Sequence, residues 1–200
     1  MELSSVFSVA DKHTARAYTN VSGNPVFLWV GRLNENKDPL TVVHAFLQFS
    51  KEKPSAKLYM IYQTEELLPE IKSTLEKSDN SGAVQLIGKI PHEKLQNWYN
   101  SADFIISGSH YEGSGTAVCE AMSCGCVPVV TDIFSFRMMT NNGACGFLYQ
   151  PGNVSELLSL LRKTEIADIE EIRKKVLLFF RQNLSFDGIA EKLHQIALSL

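Results

Sequence analysis

Two glutamates flank a glycine-rich turn in the segment YEGSGTAVCEAM, Glu112 before it and Glu120 after it, with seven residues between them. Gly113 and Gly115 allow the backbone to turn sharply, so the amides of residues 114–117 can point outward from the start of a helix. A phosphate bound there would meet unpaired N–H groups and the positive end of the helix dipole. Glu112 would project from the loop rim, and Glu120 could accept two hydroxyls such as those of a ribose. The alternatives are a solvated loop carboxylate and an acid that stabilises the helix dipole.

A second candidate lies in VGRLNENK, where Arg32 and Lys37 follow a short apolar run that ends at Gly31. Two cations on a loop that enters a helix could bind a phosphate or pyrophosphate. The alternative is two solvated cations that balance Glu35 and Asp38. The sequence has neither the G-x-G-x-x-G dinucleotide fingerprint here nor a Walker motif elsewhere, so dehydrogenase and P-loop chemistry are not indicated.

A third apolar run ends at Gly88 in LIGKIP. Glycine lets a ligand approach the backbone closely, so this turn could lie against a flat ring. The alternative is an ordinary strand-to-helix turn with Pro91 at the first helical position.

The four cysteines do not have the spacing of a metal or redox site. Cys119, Cys124, Cys126 and Cys145 lack paired C-x2-C spacings, so we expect buried apolar side chains rather than zinc ligands. The five histidines are scattered, and His110 is the only one that the sequence places near the glutamates.

Short apolar runs alternate with amphipathic segments along most of the chain, which predicts repeated βαβ units and a parallel sheet. Such a doubly wound α/β domain binds ligands at the carboxyl ends of its strands. The first twenty or so residues have no clear periodicity. The predicted strands are 25–31, 56–62, 83–88, 103–107, 127–131 and an edge strand at 145–150. The predicted helices are 38–54, 65–78, 91–102, 115–125, 153–163, 168–183 and 185–200.

Composition argues against several classes of protein. Two hundred residues suit one domain, and a net charge of −3 without a basic stripe does not favour nucleic-acid binding. No apolar run is long enough to span a bilayer, and the N-terminus does not have the pattern of a signal peptide. These features predict a cytoplasmic protein with a small-molecule or protein partner.

The motifs VGRLNENK, GKIP and ADFIISGSHYEGSGTAVCEAMSCGCVPVV, in this order, resemble those of retaining glycosyltransferases of family 4, described as glycosyl transferases group 1. The resemblance is to their C-terminal, donor-binding domain, and it covers residues 26 to about 198. It implies the GT-B fold, whose C-terminal half is a doubly wound, Rossmann-like parallel sheet with a helical C-terminal tail. Residues 25–200 would form this domain, and residues 1–24 would be a remnant of the interdomain linker.

The resemblance also implies roles for individual residues. Arg32 and Lys37 match the pair that contacts the nucleotide diphosphate and offsets leaving-group charge, which implies catalysis without a metal or other cofactor. Glu112 matches the glutamate near the transferred sugar, and these three are the expected catalytic residues. Glu120 matches the glutamate that binds the ribose. The other expected donor-binding residues belong to the phosphate turn and the strand ends: Gly31, Gly88, Lys89, Ile90, Gly113, Ser114, Gly115, Thr116 and Ala117.

The implied substrate is a UDP- or GDP-sugar whose hexosyl group passes to a glycan, lipid or other acceptor, as in cell-surface polysaccharide biosynthesis. A GT-B enzyme binds its acceptor on an N-terminal domain, and the residues before position 25 are too few to form one. We therefore expect the chain alone to catalyse transfer weakly or not at all, with a membrane-associated acceptor and peripheral contact with the inner membrane through the missing domain. The alternative is a non-catalytic nucleotide-sugar-binding or regulatory module. Ser114, where the family has an aromatic residue, and Asp38, where it has glycine, favour that alternative slightly, whereas the complete set of Arg32, Lys37, Glu112 and Glu120 favours an enzyme.

Overall fold

The computed structural model describes residues 4–199, whose centre is a six-stranded parallel sheet in the order β3-β2-β1-β4-β5-β6. The predicted doubly wound sheet is confirmed, and so is the edge position of the last strand. The strands are β1 (Val26–Gly31), β2 (Lys57–Tyr62), β3 (Val84–Gly88), β4 (Phe104–Ser107), β5 (Val127–Thr131) and β6 (Phe147–Tyr149).

The described residues form nine α-helices. The helices are α1 (Lys12–Thr19), α2 (Pro39–Glu52), α3 (Leu68–Glu76), α4 (Leu95–Ser101), α5 (Thr116–Ser123), α6 (Phe134–Met139), α7 (Val154–Ile166), α8 (Ile169–Asn183) and α9 (Phe186–Leu198). Helix α2 contacts α3 and α7, whereas α1, α4, α5, α8 and α9 form a second connected group. Of these helices, α1 and α6 were not predicted.

The central strands form because their residues are apolar on both faces of the sheet. In β1 the residues Val26 to Trp29 are all buried, and every residue of β5 is buried. Phe27 stacks on Phe104 of the neighbouring strand at a ring-centroid distance of 4.7 Å and meets Phe46 of α2 edge to face at 5.4 Å. A strand buried on both faces fixes its neighbours, so the loops that follow β1 and β4 leave the sheet at a defined position.

The order of the strands decides where a ligand can bind. Strands β1 and β4 pair at the centre of the sheet. Strands β2 and β3 follow on the β1 side, and strands β5 and β6 follow on the β4 side. The loops after these two strands therefore diverge to opposite layers and leave a crevice at the carboxyl edge of the sheet. The candidate residues after Gly31 and Ser107 lie on these two loops.

The segment before β1 packs on the domain, although its sequence shows no periodicity. Phe7 is buried in the core, and α1 rests against α4. Lys12 and Arg16 of α1 form ion pairs with Asp103, at 2.6 and 3.1 Å. Polar contacts rather than an apolar stripe hold this helix, which explains why the pattern did not predict it. Residues 1–3 of the predicted linker remnant lie outside the described part of the chain, and its origin stays a prediction.

The three predicted C-terminal helices are present as α7, α8 and α9. Helix α7 buries its leucines against α2, whereas α9 has no buried residue. Phe186, Leu193 and Ile196 of α9 are exposed. Among residues 4–199, no helix combines the length and apolar character that crossing a membrane would require.

Candidate functional site

Asn36 joins the loop after β1 to the loop after β4. Its carbonyl oxygen accepts a hydrogen bond from the His110 amide at 2.8 Å, and its side-chain oxygen accepts one from the Tyr111 amide at 3.1 Å. Its side-chain amide donates to the Tyr111 carbonyl at 3.0 Å. Three hydrogen bonds from one residue fix the two loops side by side, and they bring Lys37 next to Glu112.

The loop after β1 is shaped by two capping residues. The Asn34 side chain accepts from the Lys37 amide and begins a short 3-10 turn, Glu35–Lys37. Asp38 has φ +41° and caps α2 by accepting a hydrogen bond from the Thr41 amide. Its other carboxylate oxygen lies 3.2 Å from Nε2 of His110. Asp38 is therefore a helix cap bound to a histidine, and it does not line the cavity described below.

The Glu112 carboxylate is held by a cation and a hydroxyl. The Lys37 ammonium forms an ion pair with Oε1, and the Ser109 hydroxyl donates to the same oxygen at 2.7 Å. Ser109 is fully buried and lies 3.0 Å from the Ser107 hydroxyl at the end of β4. Glu112 was predicted to project from the loop rim, but its side chain is only 12% exposed because these contacts hold it against the cavity wall.

Gly115 opens α5 and adopts φ +60°, a region that residues with a Cβ rarely occupy. A Cβ at this position would lie 3.0 Å from the Phe136 ring and 3.1 Å from the Met139 sulfur of α6. Among the described residues, none accepts a hydrogen bond from the amides of Gly115, Thr116 or Ala117. The start of α5 therefore presents unpaired donors to the cavity, as the glycine spacing predicts.

Glu120 lies on α5 with both carboxylate oxygens hydrogen bonded. Oε1 is 2.6 Å from Nε2 of His92, and Oε2 accepts from the Tyr99 hydroxyl at 2.9 Å. Burial raises the pKa of the Tyr99 hydroxyl well above its ordinary value, and the neighbouring Glu120 carboxylate adds to the shift. Tyr99 therefore stays protonated and acts as a donor. The Glu120 side chain is 8% exposed, so it is a packed carboxylate in the wall of the cavity and not a solvated acid at a helix start.

One cavity of about 460 Å³ connects these groups. Its wall contains most of the predicted site residues: Gly31, Arg32, Lys37, Ile90, Glu112, Gly113, Ser114, Gly115, Thr116, Ala117 and Glu120. Gly88 and Lys89 do not line it, although Gly88 has φ +82° and open space where a Cβ would stand. The cations and Glu112 lie on the loops, and Glu120 lies on α5 with its partners from the α4 region.

A larger hollow of about 760 Å³ lies on the other side of the Glu112–Ser114 loop, between α6 and the C-terminal helices α8 and α9. Its lining is mostly apolar, and its two cations are already engaged. Arg137 is paired with Asp132, and Lys192 donates to the Asn183 side chain at 2.7 Å. Arg32, by contrast, is exposed and forms no ion pair with a described carboxylate. The chemistry of an anion site therefore belongs to the smaller cavity.

The sequence missed four residues of the site: Asn36, Ser109 as a partner of Glu112, His92 and Tyr99. His110 was predicted to be the only histidine near the glutamates, and this is wrong. His92 lines the cavity, whereas His110 turns away to Asp38. No pattern in the sequence indicates the contact of His92 with Glu120, because it joins two elements that meet only through tertiary packing.

The cysteines pack as predicted. Cys119, Cys124, Cys126 and Cys145 are all buried thiols, and burial raises the pKa of Cys119 and of Cys124 to about 12. Within residues 4–199, no cluster of three or more histidines, cysteines or carboxylates could hold a metal ion.

Curated proteins similar to this chain are glycosyltransferases. It is 33% identical over 130 residues to a poly(glycerol-phosphate) alpha-glucosyltransferase of Bacillus subtilis (strain 168), covering 64% of this chain and 19% of that protein. It is 24% identical over 157 residues to a D-inositol 3-phosphate glycosyltransferase of Streptosporangium roseum, covering 72% of this chain and 35% of that protein. The chain thus spans between about a fifth and a third of the length of these relatives.

Solved structures share the fold. The C-terminal domain of a glycosyl transferase group 1 family protein (LpcC) from Francisella tularensis superimposes with a TM-score of 0.83 at 17% identity, over 90% of this chain and 97% of that one. Anabaena HepE, solved in complex with UDP and glucose, gives a TM-score of 0.78 at 20% identity, over 94% of this chain and 52% of that one. The sequence profile of the family described as Glycosyl transferases group 1 matches residues 11–176, which is most of the chain. The chain therefore belongs to the glycosyl transferases group 1 family.

Proposed function

We propose that the cavity binds a nucleotide-diphospho-sugar and that the chain is the donor-binding domain of a retaining glycosyltransferase. The observation that carries the proposal is that one cavity brings together groups suited to each part of such a molecule. Arg32, Lys37 and the open start of α5 can bind phosphates, and Glu120 can accept hydroxyl groups. A nucleoside diphosphate joins the same two chemistries, because its two phosphates are attached to a ribose.

The phosphate end supplies charge and donors without a metal ion. Arg32 contributes an exposed guanidinium that forms no ion pair with a carboxylate of residues 4–199, and Lys37 an ammonium that is shared with Glu112. The amides from Gly115 to Ala117 add unpaired N–H groups and the positive end of the α5 dipole. Together they would stabilise the negative charge that develops on the diphosphate as the sugar departs, which is the role that a divalent cation plays in other enzymes.

The ribose end supplies acceptors. An ionised carboxylate accepts about four hydrogen bonds, and Glu120 uses two of them on His92 and Tyr99. Its two remaining positions could accept the 2′ and 3′ hydroxyls. Ile90 lines the cavity and lies two residues before His92 along the chain, so we place the base against it, and Gly88 and Lys89 directly precede it. UDP-bound relatives of the same fold, such as Anabaena HepE and the pneumococcal O-GlcNAc transferase, support a nucleotide-sugar as the donor class.

Glu112 would act on the sugar and not on the nucleotide. It is paired with Lys37 and precedes Gly115 at the start of α5 by three residues, so a hexose attached to the distal phosphate would meet its carboxylate. We assign it a role in orienting the sugar and stabilising positive charge at the anomeric carbon. The acceptor would be a glycan, a lipid or another hydroxyl-bearing molecule, held by a further domain such as the remaining length of the relatives could supply.

Calorimetric titration with UDP and GDP, in EDTA and then in magnesium, tests this function. We expect one of the two nucleotides to bind in the micromolar to low-millimolar range, with the same affinity in both buffers. Absence of binding by either nucleotide at millimolar concentration would contradict the proposal. Binding that required magnesium would contradict the metal-independent site.

A further inference from the structure

His92 occupies one acceptor position of Glu120 but has no role of its own in the proposed function. His92 begins a short 3-10 turn, His92–Lys94, that leads into α4, and its Nε2 lies 2.6 Å from Oε1 of Glu120. An ionised carboxylate can only accept, so Nε2 carries the proton and donates it. Tyr99 donates to the other oxygen from a fully buried position. The two donors fix the carboxylate from two different points on the α4 region.

The imidazole is itself held in place, although 64% of it is exposed. Its ring lies 5.0 Å from the ring of Phe7, at an angle of 32°. Phe7 is buried, and it also lies 6.1 Å from the Tyr99 ring. Phe7, in the segment before α1, therefore packs near the rings of both donors, His92 and Tyr99. His92 is ordered by an aromatic neighbour and directed at a carboxylate, which distinguishes it from a histidine that lies free in solvent.

These contacts determine where the remaining acceptor positions of Glu120 point. With one bond accepted at each oxygen, each oxygen keeps one further position, and Glu120 lines the cavity in which a ligand could occupy these positions. Without the His92 donor, Oε1 would lose its fixed direction, because Tyr99 alone leaves the carboxylate able to rotate about the bond to its side chain. A bidentate contact with two neighbouring hydroxyls requires that direction to be fixed.

We propose that His92 is a positioning residue for ribose recognition: its Nε2–H orients Glu120 so that the carboxylate accepts both ribose hydroxyls. The inference rests on the proposed nucleotide site and adds a determinant of sugar specificity within the nucleotide. A protein with this device distinguishes a ribonucleotide from its 2′-deoxy analogue.

The test compares UDP with 2′-deoxy-UDP, and GDP with 2′-deoxy-GDP, by calorimetric titration of wild-type protein and three variants. His92→Ala removes the donor, and His92→Gln restores an amide N–H near the position of Nε2. His110→Ala is the matched control, because this histidine lies on a cavity loop but contacts Asp38 instead. The melting temperature of each variant without nucleotide checks folding, and the high exposure of His92 makes misfolding of these variants unexpected.

We expect wild type, His110→Ala and His92→Gln to prefer the ribonucleotide by roughly tenfold or more, the value of a hydroxyl bonded to a charged acceptor. We expect His92→Ala to reduce this ratio to about twofold or less while still binding both nucleotides. An unchanged ratio in His92→Ala would overturn the inference and leave the nucleotide site intact. Tighter ribonucleotide binding by His92→Ala would also overturn it, because His92 would then compete with the ribose. A wild-type protein that bound no nucleotide would overturn the proposed function and the inference with it.

Discussion

The two glutamates of the cavity are held in different ways. Glu112 lies on a glycine-rich loop, and a single oxygen receives both the Lys37 ammonium and the Ser109 hydroxyl. Glu120 lies on a helix, and its two oxygens receive one donor each, from His92 and from Tyr99. The ion pair with Lys37 holds Glu112 mainly by electrostatic attraction. The two directed hydrogen bonds from His92 and Tyr99 instead fix the orientation of the Glu120 carboxylate. The first arrangement suits a group that responds to a charged substrate, and the second suits recognition of neutral hydroxyls.

The largest effect should come from Lys37→Ala. The change removes a phosphate donor and leaves the charge of Glu112 uncompensated at the phosphate end, so we expect nucleoside diphosphate to bind roughly a hundredfold more weakly. Calorimetry measures the loss. Lys72→Ala on α3 is the matched control, because it removes an exposed cation of the same type outside the cavity.

The double variant Lys37→Ala/Glu112→Ala sharpens this result. If the charge of Glu112 accounts for part of the loss, removing it should restore part of the affinity, and the two changes will not add. Additive losses would mean that Glu112 does not share Lys37 with the diphosphate. Glu112 would then not differ from Glu120 in being held by a charge that also binds the substrate.

Glu120→Ala should have the next largest effect. It removes charged hydrogen bonds to the ribose, so we expect nucleoside diphosphate binding to weaken by about 1–3 kcal/mol. The loss should be smaller than that of Lys37→Ala, because no charge on the substrate loses its partner. Calorimetry on a variant that retains its melting temperature makes the measurement, and unchanged affinity would reduce Glu120 to a structural partner of His92 and Tyr99.

Ser109→Ala should separate stability from binding at Glu112. The buried hydroxyl donates to the carboxylate, so its loss should lower the free energy of unfolding by about 1–2 kcal/mol in urea denaturation. Nucleotide affinity should change less than about threefold, because Lys37 still holds the carboxylate. Ser123→Ala, which removes a buried hydroxyl bonded to the Glu120 carbonyl, is the control on the other glutamate. A tenfold loss of affinity in Ser109→Ala alone would show that the hydroxyl, rather than the lysine, determines the position of the Glu112 carboxylate.

The smallest expected effect is on the reactivity of Cys119 and Cys124, which are buried near Glu120 in and just after α5. Burial raises the pKa of Cys119 and Cys124 to about 12, so at pH 8 both thiols should resist a thiol reagent until the protein unfolds. Because the folded state holds these protons more tightly than the unfolded state, the stabilisation is complete below about pH 8.5 and is lost as the pH rises towards 12. Rapid labelling of either cysteine in native protein would mean that α5 is not packed as described.

The elements that carry the two glutamates could be predicted because local signals fix them, whereas the burial of Glu112 against the cavity wall could not. Gly113 and Gly115 mark the turn, and the helical pattern that follows places Glu120 inside α5. The alternation of apolar runs and amphipathic segments was likewise sufficient for the parallel sheet. The predicted ends differ from the observed ones by at most four residues, and the largest difference is at α4, where the 3-10 turn His92–Lys94 takes the place of the first predicted helical turn.

The partners of the glutamates could not be predicted, because they come from distant segments. His92 lies 28 residues before Glu120, and Asn36 lies 75 residues before Tyr111. Such contacts form only when the strands that carry these segments become neighbours in the sheet. The order of the strands depends on the whole sheet and cannot be read from a local pattern. Helix α1 buries only Ala15, and α6 has six residues, so neither shows an apolar period that a sequence pattern could reveal.

A crystal structure with UDP or GDP, grown in EDTA, tests the central claim most directly. The account predicts the diphosphate beside Arg32 and Lys37 at the start of α5, and both ribose hydroxyls within hydrogen-bond distance of the Glu120 carboxylate. His92 should still donate to Glu120 in that complex. A nucleotide bound in the apolar hollow between α6 and α9, or in the cavity with its ribose away from Glu120, would contradict the account.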